Sequence, residues 1–419
     1  MNIVKEFKYT SKNVKEYFIA FLKWLVLGVL TGAVCGVFGA VFYKCIVLAT
    51  EFRLENSFMI FLLPIGGILT LAIYKLCRVV DIGTNQVFGS VRSEKGVPIL
   101  LLPAIFIGSV ISHICGASVG KEGAALQLGG SISSVFRKIF KLNSSSSRIL
   151  TMCSMGALFS AVFGTPLGAC VFALEVVNIG HICSAAFFPA VVSSITAFAV
   201  SGFLKVEPER FYLDFIPSFT VESLLKVALI AILCAFLSVI LCFSLKNVHK
   251  LFEKYIKNEY LRITLGSLIL IVLTVLVGSQ YYNGGGIEVI HGIFSGEKVR
   301  YEAFILKLVF TVISVSVGFK GGEIIPTLFI GSTFGYAVAS LIGLNPAFGA
   351  AVGMAALFCG ATNCPLATII LWTELFGSSG ILFFGFSAVI SFFLSGYSSL
   401  YSEQKMVFSK LCADEIKEN

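Results

Sequence analysis

The chain is short of charge, and what it lacks narrows its chemistry. Charged residues make up 13% of its 419 positions, against about 25% in an ordinary soluble domain. Its four histidines, His113, His181, His249 and His291, form no HExxH or other ligand spacing, so no metal site is expected. There is no pair of aspartates inside an apolar run, which argues against an intramembrane enzyme; no cofactor is called for. Twelve cysteines include no CxxC, and Cys35, Cys45, Cys115, Cys170, Cys234 and Cys242 lie in apolar runs, where a free thiol packs as a small hydrophobe. No soluble domain carries a basic face, so nucleic acid is not a partner. The first residues are polar and basic and the first apolar run is of full length, which does not fit a cleaved signal peptide.

Apolar residues fill the gap. They make up 57% of the chain, and the mean hydropathy is +0.93. These values describe a polytopic, all-α integral membrane protein with lipid around it. Spanning helices, which need about 20 apolar residues, are expected at Trp24–Val41, Phe58–Leu76, Ile99–Cys115, Leu224–Phe243, Ile263–Val277 and Gly380–Leu394. Other segments, around Gly120, Thr165, Gly322 and Asn363, are broken by Gly, Pro and polar residues. Such breaks are tolerated at membrane depth only where backbone is buried in protein or faces a cavity. The net charge of +8 gathers in ends and loops, at Lys5, Lys8, Lys12 and Lys15 and at Lys246, Lys250, Lys254 and Lys257. The positive-inside tendency assigns these regions to the cytoplasm.

The chain also repeats itself. GASVGKEGAALQLGGSI carries Glu122, and GFKGGEIIPTLFIGSTFG carries Glu323, 201 residues later; Gly130 and Gly331 keep the same offset. ALFSAVFGTPLGACVFALE, ending at Glu175, aligns with ALFCGATNCPLATIILWTE, ending at Glu374; both the glutamates and Pro166 and Pro365 are 199 apart. Two independent motifs at nearly one offset point to a duplication, with membrane repeats at residues 1–205 and 206–419 joined near VEPERFYLDFIP. Pro208, Pro217 and the charges mark that junction as a loop.

Carboxylates inside apolar segments suggest a path for ions. Away from the ends of a span a carboxylate costs roughly 2.5–3.5 kcal/mol, so it is rare unless it lines such a path. A helix N-terminus offers unpaired N–H groups and about half a positive charge, enough to hold an anion without a formal cation. Glu122, between Gly120 and Gly123, can occupy the anion's place itself, and displacement or protonation would free the site. One residue would then be both gate and proton carrier. Gly129, Gly130, Gly331 and Gly335 also fit a close-packing face. Glu175 and Glu374 end their apolar runs, which fits the water boundary.

These residues resemble the CLC family of anion channels and anion/proton antiporters. GKEGA at Gly120–Ala124 is similar to that family's GREGP, with Glu122 on its gating glutamate; GGEIIP at Gly321–Pro326 is similar to GGxFxP. TPLGACVFALE and CPLATIILWTE resemble its two xPLxxxxxxxE segments, GTNQV at Gly83–Val87 stands where the family has GSGIP, and SLYSEQK aligns Tyr401 with its anion-coordinating tyrosine. The resemblance covers nearly the whole chain and implies an inverted-repeat helical fold and a homodimer with one pore per subunit; as the sequence stops soon after Tyr401, the cytoplasmic regulatory domain that some members carry is not expected. The implied anion site takes Thr84, Asn85, Gly120, Gly123, Ile324, Ile325 and Tyr401, with Phe88 nearby, while Glu122 and Glu323 gate and carry protons.

The departures from the family are informative. Thr84 and Asn85 replace a serine and a glycine, and Glu323 and Ile324 stand in the GGxFxP motif. The acid resembles the fluoride/proton antiporter branch, although Ile325 replaces that branch's threonine. Val176 stands where proton-coupled chloride exchangers have an inner glutamate. The expectation is a small-anion transporter exchanging a halide for protons in a bacterial inner membrane, with fluoride export favoured. A passive chloride channel or chloride/proton exchanger is the alternative.

Overall fold

The computed structural model describes residues 3–79, 83–92 and 96–412, with side chains from Val14 onward, so those of Lys5, Lys8 and Lys12 lie outside the described residues. The first half runs through α1 (Ile3–Glu55), a 3-10 turn (Ser57–Leu62), α2 (Leu63–Leu76), α3 (Thr84–Arg92), α4 (Leu101–Cys115), α5 (Glu122–Ile139), α6 (Ser144–Phe163), α7 (Pro166–Glu175) and α8 (Ser184–Phe203). The second continues with α9 (Val221–Tyr255), α10 (Glu259–Val277), α11 (Ile287–Phe294), α12 (Ala303–Val317), α13 (Ile324–Leu341), α14 (Pro346–Thr362), α15 (Pro365–Phe376) and α16 (Ile381–Leu394). Two strands of two residues each, β1 (Asn178–Ile179) and β2 (Lys405–Met406), pair in parallel. The fold is all-α.

Seven helices among the described residues are long and apolar enough to cross a membrane. Each span expected from the sequence falls on helix, with two adjustments. Phe58–Leu76 is a 3-10 turn leading into α2, because Pro64 starts a new helix there. Trp24–Val41 is the middle of a 53-residue helix. Leu268, Ile269, Val272, Val275 and Leu276 on α10 are exposed, as a lipid-facing surface requires. The protein is an integral membrane protein.

The interior is built from two helices, α6 and α14, that are not among the expected spans. α6 opens with a Ser-rich run, Asn143 Oδ1 accepting from Ser146 N at 2.9 Å, and ends where Gly164 turns left-handed. α14 is its counterpart: Asn345 Oδ1 accepts from Phe348 N at 3.0 Å, and Asn363 takes the left-handed cap. Both are almost wholly buried, so neither needs an apolar stripe facing lipid. Their partners approach through glycine. A Cβ on Gly331 of α13 would meet Gly353 O of α14 at 2.7 Å, and Gly335 lies against the Gly349 carbonyl. In the first half Gly129 of α5 sits on the Ser154 carbonyl of α6 in the same way.

The segment joining α8 to α9 is an irregular loop, as its prolines and charges predict, but it is anchored at three points. Val206, Glu209 and Phe211 are buried, and Phe211 N donates to Leu375 O at 2.9 Å. It is a strap across one end of the helical core.

Candidate functional site

Six helices carry the repeat motifs, α5–α7 and α13–α15, and the satisfaction of their first N–H groups separates them. Asn143 and Asn345 cap α6 and α14. α7 and α15 are capped by each other. Glu374 accepts from Leu167 N at 3.0 Å and Gly168 N at 2.8 Å, while Glu175 accepts from Leu366 N at 3.2 Å and Ala367 N at 2.7 Å. Glu175 is only 5% exposed. The expectation of a water-boundary position is corrected for Glu175, which takes the place of solvent at the first turn of α15, where orphan N–H groups would otherwise be costly; Glu374 is half-buried. α5 and α13 have no side-chain cap.

Those two open starts meet. Gly120 N donates to Gly322 O at 2.6 Å and Gly322 N to Gly120 O at 2.7 Å, an antiparallel bridge between the two Gly-rich motifs. Helix begins immediately beyond each glycine, at Glu122 and at Ile324. Approach this close requires the absence of side chains: a Cβ on Gly123 would lie 2.7 Å from Gly322 Cα.

Both acids of the motifs lie at this junction. Glu122 is fully buried and neither carboxylate oxygen has a hydrogen-bond partner. Its Oε2 folds back to within 2.9 Å of where a Cβ on Gly120 would be. Glu323 is half-buried, and its Oε2, shielded from solvent and also without a partner, faces Gly123 at 3.4 Å from the corresponding Cβ position. Ile324 and Ile325 are buried behind it, and Ile325 packs on Gly120. Two unsatisfied acids beside two uncapped helix starts can take up protons or yield the N–H groups to an anion.

Tyr401 is 2% exposed, and its hydroxyl is shut off without a partner. It lies outside any helix, so its position depends on the chain around it. Leu400 N donates to Ala361 O at 2.9 Å and Gln404 Nε2 to Thr362 O at 2.7 Å, tying the segment to the end of α14. β2 then joins it to β1 after α7. The Tyr401 ring stands edge-on to Phe88 of α3, with centroids 4.8 Å apart. At the start of the same helix Thr84 Oγ1 accepts from Gln127 Nε2 at 3.0 Å, leaving its own hydroxyl proton to donate elsewhere. Asn85 Oδ1 accepts from Glu403 N at 3.5 Å, two residues beyond Tyr401.

Sequence reasoning missed Gln127, which fixes Thr84 from α5; an amide in an otherwise apolar and small-residue helix was the available signal. It also missed the pairing of Lys121 with Glu209, 3.0 Å apart and 88 positions distant in the chain. Val176 is a buried apolar group at the end of α7, so no second carboxylate follows Glu175.

Comparison with known proteins agrees with this geometry. The profile described as "Voltage gated chloride channel" matches residues 66–396. A "Chloride/fluoride channel protein" of Pseudomonas syringae pv. tomato is 33% identical over 396 residues, covering 93% of this chain and 87% of the relative. An "H(+)/Cl(-) exchange transporter ClcA" of Vibrio cholerae is 26% identical, covering 88% and 84%. The crystal structure of a CLC-type fluoride/proton antiporter superposes with a TM-score of 0.89 at 31% identity, covering 92% of this chain and 98% of that one. A slow cyanobacterial Cl-/H+ antiporter, at 21% identity and TM-score 0.76, shares the fold. With these helix starts, motifs and relatives, the chain belongs to the CLC family of voltage gated chloride channels and related transporters.

Proposed function

We propose that this protein is a halide/proton antiporter that exports fluoride. The observation that carries the proposal is the meeting of Glu122 and Glu323 at the uncapped starts of α5 and α13, each with a buried oxygen that no protein group satisfies. A passive anion pore needs N–H donors but no acid, whereas coupled exchange needs a group that alternates between proton carrier and anion surrogate. Glu122, folded onto Gly120, has the geometry for that alternation. Glu323 supplies a second acid on the opposing helix start. Fluoride gives up more hydration than chloride and so demands stronger donors; the Thr84 and Tyr401 hydroxyls and the N–H groups of Gly123, Ile324 and Ile325 are the candidates, with the Phe88 ring edge beside Tyr401. The fluoride/proton antiporter at 31% identity supports this substrate. A bacterial plasma membrane and a homodimer belong to the same proposal, supported by the bacterial relatives and by the family resemblance respectively.

The test is efflux from liposomes loaded in turn with fluoride and chloride, with an external pH electrode and valinomycin added or withheld. Fluoride efflux with proton uptake is expected, and Glu122→Gln should abolish proton movement, because an amide neither carries a proton nor competes as an anion. Chloride efflux without proton movement would make the protein a channel. Persistent coupling in Glu122→Gln would remove that residue from its role.

A further inference from the structure

A second buried charge cluster sits beside the gate, and the exchange mechanism above does not use it. The ammonium of Lys121, the residue before Glu122, lies 3.0 Å from Glu209 Oε1, and both side chains are 8% exposed. The same ammonium stands 4.2 Å above the Tyr43 ring of α1. The other oxygen of Glu209 is 3.1 Å from His291 Nε2 of α11, an imidazole 45% exposed. That ring packs on Phe211 at 4.8 Å. Nearby, Lys44, Lys205 and Glu207 line an open cleft with Tyr43, and Arg210 is occupied by the carbonyls of Gly164 and Glu209 at 3.1 and 2.7 Å.

The strap that carries Glu209 is fixed to both halves of the protein. Glu209 N donates to Phe163 O at 3.3 Å, and Phe211 N to Leu375 O at 2.9 Å. Burying a Lys–Glu pair gains little stability, because desolvation of the two charges offsets their attraction. Its presence next to Glu122 suggests a different use. If the ammonium were released, the carboxylate beside it in the chain would be that of Glu122, and pairing there would hold Glu122 in its anionic form.

We infer that Glu209 is a positioning residue for the gate: by engaging the ammonium of Lys121 it keeps that cation from pairing with Glu122, which leaves Glu122 able to take up and release its proton. The inference rests on Glu122 being the protonating group proposed above. His291 shares the Glu209 carboxylate and completes the clamp from the exposed side.

The experiment is fluoride efflux from liposomes as a function of pH, set equal on both sides, for the wild type, Glu209→Gln, Lys121→Gln and the double variant. Freeing Lys121 in Glu209→Gln should move the pH of half-maximal efflux down by about one unit or more, the usual effect of an opposite charge brought to a carboxylate. The double variant, which removes the freed cation, should return the midpoint most of the way to wild type. If Glu209→Gln does not fold, Glu209→Asp keeps the charge but shortens its reach and should shift the midpoint in the same direction. An unshifted midpoint in Glu209→Gln, or a double variant no closer to wild type than the single one, overturns the inference. The external pH electrode reads coupling separately. Wild-type efflux without proton movement would sink the antiport proposal, yet the pH midpoint of a protonating gate would still decide the role of Glu209.

Discussion

Glu122 and Tyr401 present the same physical oddity, a buried oxygen with no protein partner, and it has consequences for single substitutions. Tyr401→Phe removes a hydroxyl that makes no internal hydrogen bond, so folding should be unaffected while discrimination between anions weakens. The fluoride-to-chloride flux ratio, read beside the thermal midpoint, checks this; an unchanged ratio would put Tyr401 outside the coordination shell. Gly120→Ala acts on the Glu122 carboxylate by space. The added methyl would come within 2.9 Å of Glu122 Oε2 and 3.2 Å of Ile325 Cβ, so the carboxylate would have to shift out of its folded-back position. If Glu122 is the gate proposed above, transport should fall by about tenfold, corresponding to roughly 1.4 kcal/mol, with the protein still inserted and folded. Flux equal to wild type would mean that the folded-back position of Glu122 is not needed.

At the scale of elements, the reciprocal capping of α7 and α15 separates structural acids from those at the open junction. Glu175 holds two N–H groups of α15 at 3.2 and 2.7 Å from a buried position, where a donor left unpaired would be costly. Glu175→Gln keeps the volume but turns an amide N–H toward one donor, and should cost about 1.5 kcal/mol of stability. The expected result is a lower thermal midpoint in detergent with unchanged anion preference. A change in preference without destabilisation would move Glu175 into the transport path. Glu374→Gln should follow with a smaller effect, since Glu374 is only half-buried. The sequence could pair Glu175 with Glu374 through their common offset, but not see that each caps the helix of the other. That relation exists only once α7 and α15 pack side by side.

Across the whole molecule the Gly120–Gly322 bridge joins the two halves at the open helix starts. A methyl on Gly322 would collide with the backbone N and Cα of Gly123, and backbone cannot yield as a side chain tip can. Gly322→Ala should therefore destabilise the fold by about 2 kcal/mol or more and reduce the yield of monodisperse protein, whereas Gly202→Ala, where nothing lies within 4 Å, should be neutral. Equal yields from the two would show that the bridge is dispensable. The strap between the halves belongs to this scale too. Prolines and charges marked it as a loop, which it is; that Phe211 and Glu209 are buried within it could not be read, because a local pattern carries no information about the surfaces that cover them.

By itself the sequence determined the membrane class, the helical architecture, the duplicated motifs and the position of an acid in each Gly-rich break, because hydropathy, helix length and helix-breaking residues are local properties of the chain. Tertiary structure alone decided which helix starts stay open, which acids are caps, how Gln127 turns Thr84 and how Glu209 reaches Lys121. Each of these is a hydrogen bond or ion pair between groups tens to hundreds of positions apart, and its existence depends on the packing that brings them together.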